Sequence, residues 1–546
     1  FTNLHYFLQS NIPFTNYFAS YSRDVLLTIS PGMTLEIVLK LKVTKDKAQQ
    51  NLPVSPDFKV LFQKHIQKWQ ENWRSMGVII LPDGDYARTF YRSLHWLQCT
   101  AGADTNLPGE NQFASLSSRI AMEYNLQADA YQNSYTWEQR PFTYGAAGWS
   151  AYAYMSMGDR IRAGKMLANY YYSPDVLKKN AITMFPVGEY EYSYHNQKKG
   201  KYEYLSGKNP YALCFAHEML FNGATCLNFP YEQQIHVQAF GPSLFYRYGY
   251  LHQAKEDTVY NVMRGSAEFW SDILKYDSKR KVYSLPPVLS LSENIFESDL
   301  LDGLLGAKWV LMRAASLAEK RDTDNELRKK WLNIAKNIRI QDKDDVYLEW
   351  SDDDGKREGA GYWGIRGYSY LGFPTLELMK DLSAKKVNKS LDLCWERNKR
   401  GEGMVSFTAS WFAVTDACWG RAEEAYEKSA FSLSFLDPSG TAMCEQNKTM
   451  YYFLTSYASF TMVPVYMVLQ SVGNEIRVFP AVPKVFADME FYNLPATNGI
   501  RVSGVMKGGK TQSARFEKNG KTLLEVKGKD HISVTIKGDK LVLNKN

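Results

Sequence analysis

Residues 257–275, DTVYNVMRGSAEFWSDILK, space Val259, Val262, Met263, Ser266, Trp270 and Ile273 three or four positions apart. That spacing lines one face of an α-helix, because residues i, i+3 and i+4 stack along turns of 3.6 residues. The same period runs through 57–76, with Phe58, Leu61, Phe62, Ile66 and Trp69. Further helical runs cover 86–101, 144–156, 159–171, 210–221, 234–254, 298–319, 324–337, 375–397, 420–432 and 450–471. No strand run alternates with these helices, which excludes a doubly wound parallel sheet. No fixed-length repeat links them, which excludes a regular solenoid. The body of the chain reads as mainly α.

The two ends read as β. VLLTIS, the turn SPGM and TLEIVLKLKV alternate as a hairpin within residues 1–55, too little for a complete sandwich. From Glu475 the period changes to two: EIRVFPAVP, GIRVSGVM, SARFEKNGKTLLEVKG and HISVTIKGDKLVLNK are short strands, and Asn519-Gly520 is a hairpin turn. The expected organisation is therefore 1–55 as the remainder of an N-terminal β-sandwich and 56–80 as a linker helix. Residues 81–473 follow as the helical body, and 474–546 as a small antiparallel β domain.

Charge narrows the partners. The chain carries +7, and eleven Lys/Arg against four Asp/Glu within 500–546 account for all of it. The body is neutral, so no basic face exists there for nucleic acid, and lysines on short strands serve against edge pairing. Residues 449–474 lack any charge, yet Thr449, Thr455, Ser456, Ser459, Thr461, Pro464 and Gln470 interrupt them. A buried helix kinked at Pro464 fits this better than a membrane span. The six cysteines are scattered without CxxC or zinc spacing, and the first residues, FTNLHYFLQS, have no signal-peptide pattern.

Aromatic residues make up 14% of the chain, and many fall between helices: QNSYTWEQRPFTYG (132–145), FPVGEYEYSYHNQKKGKYEY (185–204) and LEWSDDDGKREGAGYWGIRGYSYLGFP (348–374). Aromatic rings on a rim suit a sugar, whose CH face stacks on them. GAGYWG (359–364) matches GxGxxG but follows a polar run instead of an apolar strand, so it is read as a Gly-rich loop. Asp352-Asp353-Asp354-Gly355 lacks the spacing of a calcium loop. No HExxH, histidine cluster or GxSxG is present. Carboxylates remain. Glu293, in PPVLSLSENIFESD, and Glu445, in GTAMCEQNK, each lie in a short loop before a helix with few charges nearby. Apolar surroundings disfavour the charged form, raise the pKa and suit such a group to donate a proton.

Several stretches together resemble glycoside hydrolase family 65, the (α/α)6-barrel family of disaccharide phosphorylases and α-glucosidases. They are WEQRPF (137–142), MFP (184–186), QQIHV (233–237), RGSAEFWSDILKYDSKRKVYSL (264–285), SLSEN (290–294), GEGMV (401–405), AMCEQN (442–447) and YFLTSYASF (452–460). The resemblance covers roughly residues 80–480. It implies a mainly α fold, an (α/α)6 barrel flanked by the β segments. It puts Glu293 at the general-acid position and Glu445 where the family's hydrolases carry a base. The implied reaction is inverting hydrolysis of an α-linked oligosaccharide, with water as nucleophile and carboxyls about 6.5–9.5 Å apart.

Trp137, Glu138, Arg140, Phe185, His236, Tyr362, Trp363 and Arg366 are the candidate substrate-binding residues. The sugar-gripping pattern departs from the family: Arg140 stands where the second carboxylate is expected, Val187-Gly188 replaces Trp-Glu, and WGIRGYSYLG lacks the Lys-Gln pair. Two alternatives follow from these changes, a non-catalytic glycan-binding protein and a disaccharide phosphorylase. No metal or cofactor is expected. The partner is an oligosaccharide, with a homodimer left open, and the location implied by that substrate is periplasmic or secreted.

Overall fold

The computed structural model describes residues 3–10, 14–18, 23–27, 37–44, 58–100, 146–167, 173–192, 200–217, 224–225, 231–252, 256–291, 295–351, 353, 381–400, 404–437, 440, 443–444, 454–538 and 540–544. The chain divides into two compact units, Phe1–Ser75 and Met76–Asn546.

In the first unit, β1 (Asn3–Ser10) pairs antiparallel with β4 (Ile37–Thr44), from Asn3↔Thr44 to Ser10↔Ile37. The strands β2 (Phe14–Phe18) and β3 (Arg23–Leu27) pair with each other. The expected hairpin between VLLTIS and TLEIVLKLKV is thus replaced by two nested pairs. Alternation assigns a strand two faces but does not choose its neighbour. Helix α1 (Phe58–Ser75) completes this unit.

The second unit opens with a short strand, β5 (Val78–Ile80). The helices α2 (Asp85–Thr100), α3 (Ala146–Met157), α4 (Arg160–Met166), α5 (Pro174–Met184), α6 (Val237–His252), α7 (Glu256–Ile273), α8 (Leu301–Lys320), α9 (Asn325–Lys336), α10 (Ala384–Arg400), α11 (Ser406–Cys418), α12 (Ala422–Phe431) and α13 (Leu454–Val468) follow. Successive helices pack as hairpins, α3 with α4, α6 with α7, α8 with α9 and α11 with α12. An inner set joins them: α13 packs on α3 and α11, α3 on α6, and α6 on α8. This is an α/α barrel. Among the inner helices, α11 and α13 are enclosed on all sides, and every residue of both is buried, Pro464 included. The outer helices α7 and α9 bury one stripe, as amphipathic helices do.

Small residues set the inner spacing. A Cβ on Gly306 of α8 would lie 2.5 Å from the Ala239 Cβ of α6, and one on Gly241 would enter the Phe215 ring. No helix among the described residues is long and apolar enough to cross a membrane.

Three expectations need correction. Residues 210–217, read as the start of a helix, are not helical. The amide and carbonyl of Phe215 bond instead to the side chain of Gln238, at 2.9 and 2.8 Å. Leu213 N–H donates to Gly265 O and Cys214 N–H to Leu177 O, both at 3.0 Å. A buried segment can forgo helical bonds when others satisfy its backbone. Conversely, α5 and α11 are helices that the periodicity did not mark; α11 has no polar face to produce a period. Finally, Val78–Ile80 leaves the expected 56–80 helix and becomes an edge strand.

The chain ends in two antiparallel sheets. Helix α13 runs directly into β6 (Leu469–Val472), which pairs with β7 (Glu475–Val478). Then β8 (Met489–Pro495), β9 (Arg501–Lys507), β10 (Lys510–Lys518), β11 (Lys521–Lys527), β12 (Ile532–Lys537) and β13 (Lys540–Leu543) complete the orders β6-β7-β12-β13 and β11-β10-β9-β8-β5. Asn519 and Gly520 take φ of 51° and 73°, the two-residue turn that an Asn-Gly pair favours.

Candidate active site at the barrel mouth

Four connections lead into the inner helices α6, α8, α11 and α13. Aromatic rings close the barrel beneath them: Trp149 of α3 stacks on Trp411 of α11 at 5.4 Å and lies 5.8 Å from Phe240 of α6. All three are buried. Above this floor the connection into α6 is tied to that into α8, and the connection into α11 to that into α13.

The connection into α8 is a small hairpin. Val288–Leu289 pairs with Phe296–Glu297, and Ser290 N–H donates to Ile295 O at 2.8 Å. Ile235 N–H donates to Leu289 O at 3.1 Å, so the approach to α6 is laced to the same hairpin. Asp302, in the first turn of α8, accepts from Leu291 N–H at 3.3 Å and Gly303 N–H at 2.8 Å. Burial outweighs these bonds and raises its pKa to about 6. Asp299 holds the outer side of the connection. It accepts from Ser284 Oγ–H and Leu285 N–H, each at 2.7 Å. Residues 292–294, and with them Glu293, lie outside the described residues, between these pinned ends.

The connection into α13 is pinned likewise. Cys444 N–H donates to Phe435 O at 2.9 Å, and its carbonyl accepts from Ser406 Oγ–H at 2.7 Å. Met443 N–H donates to the Tyr457 hydroxyl at 3.0 Å. Ser406 also meets Ser456 at 2.6 Å, so α11 and α13 begin side by side. Met443 and Cys444 are both fully buried. Glu445, the next residue, is outside the described residues.

Of the proposed sugar-binding residues, Phe185 and His236 are described. Phe185 is 0% exposed and packs on Phe269 at 5.0 Å and Tyr204 at 6.0 Å. His236, also 0% exposed, sits immediately before α6, and its ring meets His217 edge-on at 5.8 Å. Both are enclosed in the packing of the fold in this geometry. Trp137, Glu138, Arg140, Tyr362, Trp363 and Arg366 lie outside the described residues. No metal-holding group of His, Cys, Asp and Glu occurs among the described residues.

Two acids here escaped the sequence reading. Asp302 was signalled by LLDGLL, a lone carboxylate among leucines. Glu232, two residues before the Gln234 that bridges to Leu289, is half-buried, and desolvation raises its pKa to about 7. Glu268 of the AEFW stretch has a structural role. Its carboxylate accepts from Trp331 Nε1–H and Asn209 Nδ2–H, each at 2.7 Å, and so joins α7 to α9.

No protein-family description matches the sequence, and no curated protein does. Solved structures do match in fold. A human-microbiome protein assigned as a kojibiose phosphorylase superposes with a TM-score of 0.60 at 11% identity, covering 97% of this chain and 74% of its own. A bacterial glucoamylase complexed with acarbose gives 0.51 at 13% identity, covering 85% and 71%. The chain therefore shares the α/α-barrel fold of these two proteins.

Proposed function

We propose that this protein is an inverting glycoside hydrolase acting on an α-linked oligosaccharide. Glu293 is the general acid that protonates the glycosidic oxygen. Glu445 is the general base that takes a proton from water on the opposite face of the sugar. The observation that supports this best is the bracing of both flanking segments. Leu291, two residues before Glu293, and Cys444, immediately before Glu445, are hydrogen-bonded to side chains at the starts of inner helices, over a closed aromatic floor. Such anchoring is what a pair of acids needs, since catalytic carboxyls act only when held near a productive geometry.

On this reading Glu293→Gln and Glu445→Gln each lower kcat by about 10²–10⁴ with little change in KM. NMR of the fresh product shows the β-anomer. Full turnover by both variants overturns the assignment.

A second reading draws on the fold shared with the protein assigned as a kojibiose phosphorylase. Phosphate would then replace water as the nucleophile, and turnover would stop in phosphate-free buffer. Retained sugar binding with no bond cleavage, across a broad oligosaccharide panel, would instead identify a glycan-binding protein.

A further inference from the structure

At the far ends of α6 and α8 from the barrel mouth lies a cavity of about 630 Å³. Its walls come from the last turns of α6, the start of α7, the end of α8, and the turns at Gly473–Asn474 and Thr497–Asn498 of the β domain. Arg313, which lines it, is eleven residues beyond Asp302 on α8, or about 16 Å along the helix axis. The cavity is thus distinct from the candidate active site. Its size falls within the usual range for a small-molecule pocket.

Arg313, Ser316, Leu317 and Lys320 share one face of α8 and supply a continuous edge of the cavity. The lining holds three cations, Arg313, Lys320 and Arg321, and one carboxylate, Glu256. Lys320 Nζ is 2.8 Å from Glu256, and Arg321 reaches Asp257 at 2.5 Å. The Arg321 guanidinium also sits 5.0 Å from the Tyr260 ring centre, which holds its planar fork in one orientation. Tyr246 and Tyr250 line the same space with rings stacked 6.0 Å apart. The helix dipole accounts for basic residues in the last turn of α8. It accounts neither for Arg313, two turns earlier, nor for a sugar-sized space walled by tyrosines.

We propose that this cavity binds a sugar-sized anion, its phosphate or carboxylate meeting the Arg313–Lys320 edge and its ring lying against the tyrosines. Titration calorimetry on the full chain tests this with glucose 1-phosphate, glucuronate and glucose. Both anions should bind at least tenfold more tightly than glucose. Lys320→Glu and Arg313→Gln should each weaken the anions tenfold or more, whereas Glu293→Gln should leave them unchanged. Lys320 is at the exposed rim, so its variant carries the test if Arg313→Gln does not fold. Failure of both anions to bind, anions no tighter than glucose, binding that survives both substitutions, or binding lost in Glu293→Gln would each overturn the assignment. The last outcome would place the anion at the barrel mouth, where a phosphorylase needs it.

Discussion

Asp302 shows how a single residue can brace a site and still cost stability. Its carboxyl is buried with two backbone amides for partners, and desolvation lifts its pKa from 3.8 to about 6. A raised folded pKa means the native state holds the proton more tightly than the unfolded chain. The resulting stability is fully present below pH 3.8 and is lost as pH rises through about 6. The loss amounts to about 3 kcal/mol across that window. Asp302→Asn should therefore flatten the fall in urea-unfolding stability between pH 4 and 7. It should also lower kcat more than KM, because the connection that carries Glu293 loses its tie at Leu291. An unchanged pH slope would show that the carboxyl stays solvated.

At the scale of elements, the barrel's inner helices are joined to their outer partners by a few buried polar anchors. Asp416 in α11 is fully buried, 2.6 Å from Lys428 of α12 and 3.3 Å from Arg421. Burial pushes its pKa up while the two cations pull it down. Lys428→Met leaves the carboxylate short of a partner and should cost about 3–5 kcal/mol at neutral pH. Adding Asp416→Asn should recover much of that loss, as thermal unfolding of the single and double variants would show. Gln238 plays a comparable part for the non-helical segment at Phe215. Gln238→Ala orphans both backbone groups of Phe215, and about 2–5 kcal/mol of destabilisation is expected from two unmet buried bonds.

Across the whole second unit, barrel and β domain are continuous. Helix α13 passes into β6 without a linker, and β5, from the other side of the barrel in sequence, is the edge partner of β8. Ile79 on that strand is 1% exposed and registers with Phe491. Unfolding should therefore be one transition for both parts. The β domain from 469 onward contains no tryptophan, so tryptophan fluorescence follows the barrel, together with Trp69 and Trp73 of α1, and not the β domain. Hydrogen exchange of the β8–β10 amides follows the sheets. Ile79→Ala should lower both midpoints together, by about 2–4 kcal/mol. Separate shifts would mean two independent domains.

Helix periodicity, the closing β domain and the Asn519-Gly520 turn were legible in the residues, because each depends on neighbours within about ten positions. The sequence by itself determined that the body is helical, that its charge gathers at the end, and that two isolated glutamates precede helices. It could not mark α11, since a helix buried on every side has no polar face and hence no period. Nor could it show that residues 210–217 are non-helical, that β3 and β4 take different partners, or that Ile79 joins a sheet formed four hundred residues later. Those outcomes depend on which distant groups satisfy buried backbone bonds and bury apolar faces. Only the tertiary structure decides that, because a hydrogen bond or a packed ring is indifferent to separation along the chain.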